Sequence, residues 1–243
     1  MPILTSTTDR VTTLTIERPE RRNALNLDAL EELDAAIGQA ATDDSRALVL
    51  TGAGGHFCAG ADLKELEDVS FTRRLGEVLG HLADLPIVTI AAIEGSCMGL
   101  GMQLAVACDI RVVADSARFA VPVSKLGLMV DHWTVERVRR LFGEGAARHL
   151  ILTAAVLDAD DAWRLGFAQV RGDLDAAQEL AGNAARLAPL SQAGSKAGLD
   201  TSADDESGVE RYAAAFAAAW SSDDLREGRA AFAERRAPEF TGH

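Results

Sequence analysis

Two short glycine-bearing bends, Gly60-Ala61-Asp62 and Gly99-Leu100-Gly101, hold the residues best suited to chemistry in this chain. Each runs into a predicted helix, so its first main-chain N–H groups have no intrahelical acceptor and the helix dipole adds partial positive charge. The neighbouring glycines have no Cβ to block a ligand's approach. The Ala61 and Leu100 amides therefore suit an anion, or a carbonyl oxygen gaining negative charge, and as a pair they would form an oxyanion hole. Taken singly, each bend also reads as a helix start with small residues for close packing. Gln103, close behind the second bend, is neutral and does not exchange protons near neutral pH. A dinucleotide fingerprint would need a glycine where Leu104 stands and an acidic strand end further on, and neither is present.

Asp131 is the leading candidate for moving a proton. In "GLMVDHW" it stands among Met129, Val130 and Trp133, whose apolar bulk would desolvate a carboxylate and make it a better base. Asp is also a favoured N-cap, and a helix is predicted from about His132, so a capping role fits equally. His132 would join Asp131 in a proton shuttle only if two adjacent side chains at a helix start faced each other. Trp133 and Met129 read as pocket walls or core, Asp62 as a helix-start acid, and Lys64 as a solvated or phosphate-facing cation. His56 reads as a structural loop histidine. The five histidines have no ligand-like spacing, and no metal site is expected.

These groups need a frame to position them. Val11 to Ile16 alternates like a half-buried strand, the turn "ERPERRNAL" follows, and Leu30, Leu33 and Ile37 share one face of a helix from about Leu27 to Ala41. "ALVLTG" at 47–52 predicts a buried strand, and its loop turns into a helix near Asp62. Helical spacing through Leu75, Leu79 and Leu82 stops at Pro86, "PIVTIAAIEG" predicts the next strand, and a helix spans about Leu100 to Ala107. "DIRVVAD" adds a strand. Beyond about Asp131 only Gln169 to Arg171 reads as strand, and the Ala-rich run from Tyr212 to Trp220 predicts a packed helix. The pattern is that of an α/β protein with helices covering strands.

Composition narrows the function classes. The 243 residues carry 48% hydrophobic side chains, enough for a sizeable core, and a net charge of −13, which disfavours a general binder of nucleic acid or anionic membrane. Cys58, Cys97 and Cys108 have neither the even count of a disulfide framework nor zinc-site spacing and read as small buried residues. No signal peptide is expected from "MPILTSTTDR", and no apolar stretch reaches membrane-spanning length, so a cytoplasmic protein without membrane insertion is expected.

Taken in order, "ERPERRNAL", "HFCAGADLKEL", "EGSCMGLGMQLAVACDIRVV", "ARFAVPVSKLGLMVD" and "AFAERRAPEF" resemble the enoyl-CoA hydratase/isomerase, or crotonase, superfamily over nearly the whole chain. The resemblance implies a crotonase (ClpP-like) α/β fold of repeated ββα units over residues 1–185 and a helical trimerisation region over 186–243, in a homotrimer or dimer of trimers. It implies an acyl-CoA thioester as ligand, with coenzyme A part of the substrate and no separate cofactor. The thioester carbonyl would sit between the Ala61 and Leu100 amides. The stretch Ala61, Asp62, Leu63 and Lys64 would hold the bent CoA, and Arg22 would add a phosphate contact. Phe232 and Arg235 match positions that approach the CoA of a neighbouring subunit, though a core Phe and a solvated Arg describe them equally well.

Hydratases of the superfamily use two glutamates, and by resemblance these fall on Gln103 and Val123. Water addition needs a base and an acid, which neither residue supplies. The resemblance therefore points to fatty-acid metabolism with an isomerase-type, one-proton reaction, Asp131 standing where some isomerases carry an acting aspartate. The alternative is a non-catalytic acyl-CoA carrier, and a conventional enoyl-CoA hydratase ranks third.

Overall fold

The strand expected at Val11–Ile16 forms, but it has a partner that periodicity did not reveal. In the computed structural model, which describes residues 2–62, 69–201 and 205–243, strand β1 (Ile3–Thr8) pairs antiparallel with β2 (Val11–Ile16). Only Ile3 of β1 is buried, so the strand has no apolar alternation to announce it. Asp9 and Arg10 make the connection with φ of 50° and 64°, the left-handed pair that a two-residue hairpin turn requires.

Helix α1 (Leu27–Thr42) begins at Asn26, whose side chain accepts from the Ala29 N–H, and buries Leu30, Leu33 and Ile37 as the spacing predicted. Strand β3 (Ala47–Gly52), helix α2 (Val69–Asp84), strands β4 (Val88–Ile93) and β5 (Ser96–Met98), and helix α3 (Leu100–Ala107) follow. Then come β6 (Ile110–Val113), β7 (Arg118–Ala120), a 3-10 turn at Pro122–Leu126, α4 (His132–Phe142), α5 (Glu144–Thr153), β8 (Leu157–Asp158), α6 (Ala159–Arg164) and β9 (Val170–Arg171). Helices α7 (Leu174–Ala185), α8 (Pro189–Asp200), α9 (Glu206–Ser221) and α10 (Asp223–Glu234) complete the described chain.

The main sheet runs β1-β2-β3-β4-β6-β9, parallel after the first pair, and a small sheet runs β5-β7-β8. Both faces of the main sheet are covered, as parallel strands require. Val49, Ile90, Ala92 and Val112 point to Ala177 and Ala181 of α7. Their neighbours Leu48, Leu50, Ala91, Ile93 and Val113 point the other way, into the larger core with Leu33, Leu79 and Met102. Helix α3 crosses this core with every residue buried, and Gln103 is its one polar side chain.

The Ala-rich run is helical, as expected, but it is packed on one side only. Gly198 and Gly194 of α8 let α9 approach: a Cβ on Gly198 would lie 2.6 Å from the Tyr212 ring, and one on Gly194 would lie 3.3 Å from Ala215. Phe216 and Trp220 remain 52% and 61% exposed. Glycines of α8 make room for Tyr212 and Ala215, while Phe216 and Trp220 stay largely in solvent. Among the described residues no helix is long and apolar enough to cross a membrane.

Candidate functional site

The two bends are wedged together by main-chain hydrogen bonds. The Cys58 N–H donates to the Ser96 carbonyl and the Met98 N–H donates to the Cys58 carbonyl, both at 2.9 Å. On its other edge the first bend is tied to the "RRNAL" turn: Leu25 N–H to Gly60 O at 3.0 Å and Asp62 N–H to Leu25 O at 2.8 Å. Such a parallel bridge uses the groups either side of Ala61 and turns the Ala61 N–H away from the partner chain. Leu100, first residue of α3, likewise lies beyond the reach of the helix's own carbonyls. Among the described residues no acceptor takes either amide.

Glycine is required where the bends touch. A Cβ on Gly101 would fall 2.2 Å from the Cys58 carbonyl oxygen, so α3 rests directly on the first bend. A Cβ on Gly60, whose φ is +119°, would lie 3.3 Å from Met98 O and 4.0 Å from the Leu100 nitrogen. The residue preceding Ala61 therefore abuts the nitrogen of Leu100.

Behind this wedge the side chains form a short polar chain. Gln103 is buried and its Nε2 donates to Thr134 Oγ1 at 2.9 Å. Thr134, fully buried, donates its N–H to Asp131 Oδ1 at 2.7 Å. Asp131 is thus the N-cap of α4. It is exposed, and Met129 is 87% exposed. The desolvating surround expected from Met129 does not form within this chain: residues 124–129 run along the surface, and only Val130 tucks in.

A description of the enoyl-CoA hydratase/isomerase family matches residues 6–243. The chain belongs to that family. The "Probable enoyl-CoA hydratase echA6" of Mycobacterium tuberculosis is 41% identical over 235 residues, covering 96% of this chain and 97% of its own. The short-chain-enoyl-CoA hydratase of Clostridium acetobutylicum is 34% identical over 241 residues, covering 93% and 92%. Among solved structures, the enoyl-CoA hydratase from Bacillus anthracis superposes with a TM-score of 0.93 at 29% identity over 100% of both chains. The fold is that of the crotonases, as the resemblance implied.

In this enoyl-CoA hydratase/isomerase-family chain the remaining expected site residues are spread over several elements. Val123 lies in the 3-10 turn, partly buried against the core. Trp133 is also partly buried, with the Arg137 guanidinium 4.5 Å from its ring centroid. Arg22 is exposed in a left-handed conformation beside the first bend. Asp62 is buried, 3.5 Å from Arg18 and 3.8 Å from Arg21. Phe232, 88% exposed, lines a separate surface cavity of about 560 Å³ with Trp220 and Phe240. Arg235 ends α10. Leu63 and Lys64 lie outside the described residues. The structure does not bring His132 to Asp131: its side chain is 89% exposed and lies 4.0 Å from Glu136.

Three residues that support the wedge escaped the sequence analysis. Asn23 is wholly buried, accepts from the Arg18 N–H at 2.9 Å and donates to the carbonyls of Ala53 at 2.8 Å and His56 at 2.5 Å. Arg18 holds the Ala24 carbonyl at 2.6 Å. Thr134 orients Gln103. The one available signal was Asn in "RRNAL", since Asn tolerates the left-handed backbone found there. His56, expected to be structural, accepts the Ser96 N–H on Nδ1 at 3.1 Å and so ties the bends together. Burial pushes the thiols of Cys58 and Cys108 up to about 12 and that of Cys97 well above its ordinary value, so none of them is a nucleophile at neutral pH.

Proposed function

We propose that this chain is a cytoplasmic acyl-CoA-binding protein of fatty-acid metabolism that holds the thioester carbonyl between the Ala61 and Leu100 amides and carries or presents its ligand without hydrating it. The observation that supports this most is the combination of two main-chain donors that no described residue claims with a buried, neutral Gln103 already committed to Thr134. Amide donors polarise a carbonyl whatever the side chains around them, whereas water addition needs groups that exchange protons. Val123 adds none. Arg22, together with Arg18 and Arg21 near Asp62, would face the phosphates of coenzyme A. Assembly as a homotrimer or dimer of trimers accords with the exposed Phe216, Trp220 and Phe232.

Calorimetry with a series of acyl-CoA thioesters, beside a spectrophotometric hydration assay on crotonyl-CoA, tests the reading. One ligand per chain without turnover is expected. Measurable hydration would replace the carrier reading with a hydratase, and an absence of binding would remove the acyl-CoA assignment altogether.

One observation favours a second reading, an isomerase-type reaction. Asp131 commits Oδ1 to the cap, and through Thr134 it is linked to Gln103 of α3, the helix that begins at Leu100. If it acts as the base, Asp131→Asn abolishes double-bond isomerisation while acyl-CoA binding persists.

A further inference from the structure

Helix α3 has a second end. Its last turn and the starts of β4 and β6 border a cavity of about 500 Å³, closed on one side by α8 and walled by Ile87, Val106, Ile110 and Leu141. This volume is ordinary for a small-molecule site. An eight-residue helix is about 12 Å long, so the cavity is well separated from the Leu100 amide.

Its charges do not balance. Arg111, Arg137, Arg140 and Lys196 line it, against Asp109 and Asp200. Lys196 Nζ is 2.9 Å from Asp109 Oδ2 and donates to the Ile87 carbonyl. Arg140 and Arg137 share one Asp200 oxygen at 2.9 and 3.4 Å. Both acids are thereby engaged, and among the described residues Arg111 has no carboxylate in contact. Its Nε donates to the Phe167 carbonyl and its Nη1 to the Cys108 carbonyl, both at 2.9 Å. Its Nη2 has no acceptor among the described residues. That nitrogen is not sealed from solvent, and Arg111 is one of the residues lining the cavity.

The residue as a whole is only 2% exposed. Burial lowers its guanidinium to about 10, which leaves it cationic at neutral pH. Cys108 beside it is neutral, its thiol raised to about 12 by burial, and supplies no counter-charge. A buried cation without a contacting anion is an expensive arrangement, and a planar guanidinium is shaped for a carboxylate.

We propose that this cavity binds a small aliphatic monocarboxylate, its carboxylate on Arg111 Nη2 and its hydrocarbon tail against Ile87, Val106 and Leu141. The site is independent of the thioester site, and its ligand differs from an acyl-CoA in lacking the nucleotide.

Calorimetric titration of the full chain with octanoate, octan-1-ol and inorganic phosphate tests it. Octanoate is expected to bind once per chain, with octan-1-ol about tenfold weaker because it forgoes the charge-assisted bond. Since Arg111 also holds two carbonyls, its removal loosens the fold. Ser195→Trp, at the exposed rim of the cavity, leaves those bonds alone. This variant should abolish octanoate binding and leave the titration with butyryl-CoA unchanged. Equal affinities for acid and alcohol would overturn the proposal, as would phosphate binding as tightly as octanoate, octanoate binding undisturbed in Ser195→Trp, or no binding. Butyryl-CoA binding without octanoate binding would overturn this proposal and leave the thioester site standing; the reverse result would do the opposite.

Discussion

The two ends of α3 meet the same physical problem in opposite ways. A helix leaves donors unsatisfied at its start and acceptors at its finish. At Leu100 none of the described residues supplies an acceptor, and glycines clear the approach. At the finish it supplies its own cations: Arg111 takes the Cys108 carbonyl and Arg137 the Val106 carbonyl. At one end the main-chain donors are left for a ligand, and at the other the main-chain acceptors are satisfied by side chains. The difference teaches that the candidate site resides in main-chain placement, with identity of side chains secondary, while the far end depends on side-chain charge.

Four substitutions sharpen or break that contrast. The largest effect is expected at Gly101→Ala, where the new methyl meets the Cys58 carbonyl; a loss of about 3 kcal/mol in denaturant unfolding, with weakened acyl-CoA binding, follows from overpacking against backbone. Unchanged binding would mean that contact between the bends is dispensable. Lys196→Met should cost about 2 kcal/mol by leaving Asp109 partly buried without its cation, yet leave acyl-CoA affinity intact, because it disturbs only the far end. Thr134→Val should cost about 1 kcal/mol through the lost bond to Gln103. Isothermal titration would then report whether a loosened Gln103 alters ligand affinity. The smallest shift is expected for Asp131→Asn, within about 0.5 kcal/mol because Asn caps helices as well as Asp. Thermal unfolding checks that value, and a loss of isomerisation in a well-folded variant would move Asp131 from cap to base.

Long, patterned elements were legible in the residues. Leu30, Leu33 and Ile37 announced α1, Pro86 marked the end of α2, and the span of α3 was read from its apolar run. Strands β5, β7 and β8 were not, since two or three residues carry no period. Their partners come from distant segments, as when Cys97 aligns with Phe119. At the site, the glycines marked both bends because backbone conformation and close approach restrict residue type directly. Asn23 and Thr134 gave little warning, for their roles depend on carbonyls and amides brought together by the fold. Asp131 had two readings, and local pattern could not separate them. Its exposure and the bond from Thr134 establish the cap.

The main-chain pairing of Cys58 with Cys97 makes the wedge reportable through native thiols. Both thiols are sealed, and both lie on the seam that joins the first bend to β5. Alkylating reagents reach them only when that seam parts, so the rate of iodoacetamide uptake at Cys58 and Cys97, resolved from Cys108 by peptide mapping, measures how often the two amide-bearing segments separate. A bound thioester that clamps both segments would slow the labelling, giving a chemical clock for occupancy that needs no turnover.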